Sequence, residues 1–103
     1  MLDSRPPAWV RYLVRPSYQS RDAALWDLSR RQVRLLADQP VEPGTPVLLE
    51  LPGPQPGYRR AHLARVASAQ PSGAGDYFLQ CQFATPLSQR SLILIRRELG
   101  QPA

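Results

Sequence analysis

The chain has 103 residues, 43% of them hydrophobic and 20% charged, which suits one domain with a modest core and leaves no sequence for a second. No eighteen apolar residues run together, and Met1 to Val10 lacks an apolar block behind a positive head, so neither a helical membrane span nor a secretory signal is expected and the expected compartment is the cytoplasm. One cysteine, Cys81, and one histidine, His62, exclude an internal disulfide and a four-ligand His/Cys metal site, and the 13 basic against 8 acidic groups leave a charge of +5 carried wholly by arginine, which suits phosphate, carboxylate or guanine edges.

In chain order, residues 1–8, with Pro6-Pro7, read as a short N-terminal arm, and residues 9–99 read as the folded domain before a tail at 100–103. Val10, Tyr12 and Val14 alternate with Arg11, Leu13 and Arg15, the pattern of a strand with one buried face, which Pro16 ends. Val33 and Leu35 alternate with Arg34, and after the Pro43-Gly44 turn Val47, Leu49 and Leu51 alternate with Leu48 and Glu50. Leu51 to Gly57 is a proline-rich loop, followed by a strand around Arg60 to Ala69 whose alanines blur its alternation. After Pro71 to Gly75 comes the clearest strand, with Tyr77, Leu79, Cys81 and Phe83 on one face and Phe78, Gln80 and Gln82 on the other, which makes Cys81 a core residue. Short strands between turn signals point to a small all-β sandwich or barrel.

The last segment differs in kind. Ser88 reads as a helix N-cap, Leu92, Ile95 and Leu99 fall at helical spacing, and Arg96 and Arg97 lie where a helix C-terminus favours cations. Leu92 to Ile95 taken alone also reads as a buried strand, but the preceding proline and serine favour a helix packed on or beside the sheet. No enzymatic arrangement emerges: a nucleophile and base pair would need His62, around which there is no motif, and no phosphate-cradling glycine loop is present. No catalytic activity and no cofactor are expected.

One stretch stands out. Asp27-Leu28-Ser29-Arg30-Arg31-Gln32 precedes the apolar strand at Val33, the Pro43-Gly44 turn and the strand ending at Pro52. With Leu63-Ala64-Arg65-Val66, Leu79 to Phe83 and Pro86-Leu87-Ser88, it resembles the PilZ domain family, whose second motif reads Asp/Asn-x-Ser-x-x-Gly. The resemblance covers roughly Arg5 to Arg97. It implies an all-β fold, a six-stranded antiparallel β-barrel with a C-terminal α-helix, and a bacterial, cytoplasmic receptor for cyclic di-GMP that signals through a protein partner. It further implies that Arg5, at the place of the second arginine of the family's Arg-x-x-x-Arg arm, takes a guanine or a phosphate. Asp27 and Ser29 would take the other guanine edge, and Arg30, Arg31 and Arg34 would supply positive potential around the phosphates.

The sequence departs from the family pattern at two places. Gln32 stands where the motif has glycine, and the arm's first arginine falls on Met1. If position 32 requires a positive φ, its side chain costs roughly 1–2 kcal/mol. The literal Arg-x-x-x-Arg at Arg11 and Arg15 falls on the outward face of a strand, the ordinary place for arginine. The departures favour, as a first alternative, an interaction module that no longer binds the nucleotide. A small basic barrel binding RNA or single-stranded DNA is the second alternative, which is disfavoured because the few aromatics are expected mostly at core-facing positions; Trp9 and Trp26 flank the motif, where wedging against the barrel end is expected over stacking on guanine. Each motif side chain also has a purely local reading: Asp-x-Ser in a turn caps its own backbone, and an arginine cluster is commonly a solvated face.

Overall fold

The computed structural model describes residues 8–55 and 57–100. Six strands, β1 (Trp9–Val14), β2 (Gln19–Leu28), β3 (Gln32–Ala37), β4 (Pro46–Pro52), β5 (Arg59–Pro71) and β6 (Tyr77–Phe83), precede one helix, α1 (Gln89–Glu98). They close into a barrel in the order β1-β2-β3-β6-β5-β4, with every neighbouring pair antiparallel. Closure comes from β1 against β4, Arg11 facing Glu50 and Val14 facing Val47, and among the described residues it leaves no strand at an open sheet edge.

Alternation builds the interior. Val10 and Tyr12, Val33 and Leu35, Val47, Leu49 and Leu51, and Leu79, Cys81 and Phe83 all turn inward as their period-two pattern predicts. The outward residues Arg11 and Glu50 form a two-pronged ion pair at 2.8 Å across the β1–β4 seam, so Arg11 belongs to the barrel wall. Arg15, the other half of that literal spacing, lies over the Tyr18 ring at 5.5 Å.

Alternation in the sequence did not reveal β2, and the structure shows why. Ala23, Ala24 and Leu25 are buried in succession while Trp26 and Asp27 are both exposed, because the β2–β3 register shifts between Leu25 and Asp27. A bulge of this kind adds a residue to one strand and breaks the two-residue period. A second shift, between Val66 and Ser68 on β5, blurs that strand in the same way.

The terminal segment is a helix, as its flanking residues favoured. The Ser88 hydroxyl accepts from the Ser91 N–H at 3.0 Å, satisfying a backbone donor that the first turn leaves open. Leu92 and Ile95 are buried and, with Leu87, join the barrel core. The helix therefore plugs one barrel end, the end that also carries the β2–β3 turn and the β4–β5 loop. Among the described residues, no helix is long and apolar enough to cross a membrane.

Candidate functional site

The turn from β2 to β3 is built by the motif's own side chains. Ser29 donates its N–H to the Gln32 carbonyl at 2.9 Å, and its hydroxyl accepts from the Gln32 N–H and donates to the Gln32 carbonyl, both at 3.2 Å. The hydroxyl thus does work that a backbone carbonyl does in an ordinary two-residue hairpin turn. Asp27 caps locally as well, one carboxylate oxygen accepting from the Leu28 N–H at 3.0 Å. Asp27 is exposed and keeps its other oxygen.

The C-terminal segment holds this turn from below. Leu87 donates its N–H to the Arg30 carbonyl at 2.7 Å, and the Arg30 Nε donates to the Leu87 carbonyl at 2.9 Å. The Phe83 N–H donates to the Arg31 carbonyl at 2.9 Å, and an Arg96 Nη reaches back from α1 to the Leu28 carbonyl at 2.6 Å. The short distance and the charge mark this last contact as a strong one. A cleft of about 580 Å³ opens beside the turn, lined by Ser29, Arg30, Arg31 and Gln32 on one side and by Gln82, Phe83, Ala84 and Pro86 on the other. No acidic residue lines it.

Four of the residues singled out in the sequence therefore converge on one cleft. Asp27 and Arg34 lie outside it, facing each other across β2 and β3 on the outer wall. Among the described residues no ion pair joins them; the Arg34 guanidinium lies over the Phe78 ring at 5.7 Å instead. Arg5 falls outside the described residues. The first described residue, Ala8, accepts through its carbonyl from the Leu25 N–H at 2.7 Å, so the chain enters the barrel two residues from Asp27.

One conditional expectation, a positive φ at Gln32, is not met. It opens β3 in extended backbone, and Tyr18 is the one residue other than glycine with positive φ among the described residues, so no left-handed strain attends the missing glycine. The Gln32 side chain accepts from the Gln80 amide at 2.8 Å and occupies space at the cleft edge. The aromatic side chains correct another. Trp9 and Trp26 are 59% and 56% exposed rather than wedged against the barrel end, and Tyr18 and Tyr58 are also exposed, so the aromatics are not mostly core-facing. Trp26 stands on the outer wall with its ring edge-on to Phe78 at 5.3 Å. The β2 bulge that turns Trp26 and Asp27 outward together has no local sequence signature.

The remaining titratable groups play no part in this cleft. Burial pushes the Cys81 thiol up to about 12. His62 is partly buried with its ring edge-on to Phe83, and burial, then the nearby Arg60 charge, lower its pKa. Among the described residues no group of three His, Cys, Asp or Glu side chains is placed to hold a metal ion.

Comparison with known families agrees with the architecture. The family model described as PilZ domain matches residues 2–101, nearly the whole chain. Searches of curated proteins and of solved structures return no match.

Proposed function

The chain belongs to the PilZ domain family, and from that premise we propose that it is a cyclic di-GMP receptor, a binding module without catalytic chemistry that passes its signal to a protein partner by contact. The observation that carries this reading is the acid-free cleft at the β2–β3 turn, where Ser29, Arg30, Arg31 and Gln32 meet. Its volume lies within the range of small-molecule sites.

The chemistry of the residues supports the assignment. The outer Asp27 carboxylate oxygen is free to accept from a guanine N–H edge. Ser29, its proton held by the Gln32 carbonyl, retains one lone pair and acts as an acceptor. Arg31 is exposed, and Arg30 is engaged through Nε alone among the described residues, so both present guanidinium N–H groups to a phosphate. Arg34 adds charge on the wall beside them. Arg5 lies three residues before Ala8, within roughly 10 Å of chain reach, and ordering of the arm over the ligand is the proposed readout.

A second reading follows from the same hydrogen bonds. Asp27, Ser29 and Arg30 each hold the turn through backbone contacts, work they do whether or not a nucleotide is present. On that reading the barrel is an interaction module that has lost the nucleotide.

Calorimetric titration with cyclic di-GMP separates the two. The receptor reading predicts binding of about micromolar affinity or weaker, abolished by Arg5→Ala or Asp27→Ala, with quenching of Trp26 fluorescence. Absence of heat from a folded protein overturns it in favour of the interaction module. A salt-dependent response to oligonucleotides, without one to cyclic di-GMP, overturns both in favour of nucleic-acid binding.

A further inference from the structure

A separate cleft of about 310 Å³ lies between the first turns of α1, the β4–β5 loop and the start of β5, and it shares no residue with the cleft at the β2–β3 turn. Its charged and titratable lining is Arg60, His62 and Arg90, with Ser91, and no acidic residue. Neither Arg60 nor Arg90 has a hydrogen-bond or ion-pair partner among the described residues. Arg90 stands in the first turn of α1, where the helix dipole disfavours a cation, and that turn contains no acidic residue to offset it. His62 lies partly buried at the cleft, and burial, then the nearby Arg60 charge, lower its pKa. The site therefore holds two guanidinium groups that nothing among the described residues neutralises.

The rest of the lining is apolar. Pro52, Pro54, Leu94 and Ile95 line the cleft beside the arginines, and the Tyr58 ring closes over Gly53 at its rim. On the helix surface Arg90, Ile93 and Arg97 follow one another at i, i+3 and i+7, and Ile93 is 42% exposed. Cationic and aliphatic groups thus alternate across the cleft and the adjoining helix face. Free phosphate would match the arginines and leave the aliphatic groups uncovered, whereas a peptide bearing both carboxylates and aliphatic side chains matches both.

We propose that this cleft docks an acidic segment of a partner protein, one that interleaves carboxylates with aliphatic side chains. Arg60 and Arg90 pair with the carboxylates, and Leu94, Ile93 and Pro54 receive the aliphatic groups. The site stands independently of the nucleotide reading, because none of its residues belongs to the first cleft.

The test uses the full chain and the hexapeptide Glu-Leu-Glu-Glu-Leu-Glu, followed by amide NMR shifts and by the pKa of His62, the one histidine in the sequence. The expected result is saturable shifts at Arg60, His62, Arg90 and Leu94, with a rise in the His62 pKa as carboxylates enter. Arg60→Gln and Arg90→Gln, both surface changes, each weaken the peptide about fivefold, the effect of a partly exposed ion pair. Asp27→Ala leaves the peptide affinity unchanged. The proposal is overturned if the acidic peptide gives no more shift than Lys-Leu-Lys-Lys-Leu-Lys, if inorganic phosphate at equal concentration reproduces the shifts, or if Arg90→Gln binds as tightly as the wild type.

Discussion

Replacing Gln32 by glycine restores the family's motif, and two opposite outcomes for stability follow from two views of the backbone. If the position needed a positive φ, glycine would relieve roughly 1–2 kcal/mol of strain. The structure places Gln32 in extended backbone at the start of β3, so there is no such strain to relieve. The substitution instead adds about 0.5–1 kcal/mol of chain entropy to be lost on folding. It also removes the exposed hydrogen bond from Gln80, a further contribution of about 0.5 kcal/mol. The sum is a loss of about 1–1.5 kcal/mol, a fall in Tm of roughly 5–10 °C for a domain of this size. Affinity moves the other way: clearing the side chain from the cleft edge strengthens cyclic di-GMP binding, through space rather than relief of strain. Thermal melts of the two proteins, with and without the nucleotide, read both effects. A Gln32→Gly protein that melts higher than the wild type without ligand would refute the extended-backbone account.

Other substitutions probe the supports of the site. Arg96→Ala removes the partly buried contact to the Leu28 carbonyl and is expected to cost about 1.5–2 kcal/mol in urea denaturation, whereas exposed Arg97→Ala stays within about 0.5 kcal/mol. Cys81, its thiol raised to about 12 by burial, should react with a thiol reagent at pH 8 only as fast as the barrel opens, and immediate labelling of the native protein would contradict its place in the core. His62 has a folded pKa below its ordinary value of 6.5, so the unfolded chain takes up the proton more readily. Its contribution to stability is complete above pH 6.5 and is lost as pH falls through the folded value. His62→Gln should flatten the decline that sets in as pH falls below 6.5.

Much of the barrel was legible because its inward faces follow a strict period of two, as at Val47, Leu49 and Leu51 or at Leu79, Cys81 and Phe83. The helix was legible from Ser88 and the spacing of Leu92, Ile95 and Leu99. β2 was not, since its bulge puts Trp26 and Asp27 on one face and makes Ala23 to Leu25 a continuous buried run. The motif residues were found by their order, but the sequence did not separate Arg30 and Arg31, which reach the cleft, from Arg34, which lies over Phe78. That division depends on where β2 ends and β3 begins: Arg30 and Arg31 lie in the turn, whereas Arg34 lies two residues into β3 on the outer wall. The opposite wall of the cleft and the Arg96 clamp arise from contacts more than fifty residues apart in the chain, which local pattern does not encode.

Amide NMR mapping of unlabelled cyclic di-GMP onto the isotopically labelled chain tests the proposed function most directly. The account predicts shifts centred on Asp27 to Arg34 and on Gln82 to Pro86, with new protection in the segment before Ala8 and the same titration silent in Asp27→Ala. Shifts that cluster elsewhere on the barrel, or a spectrum unchanged at millimolar nucleotide, would contradict it.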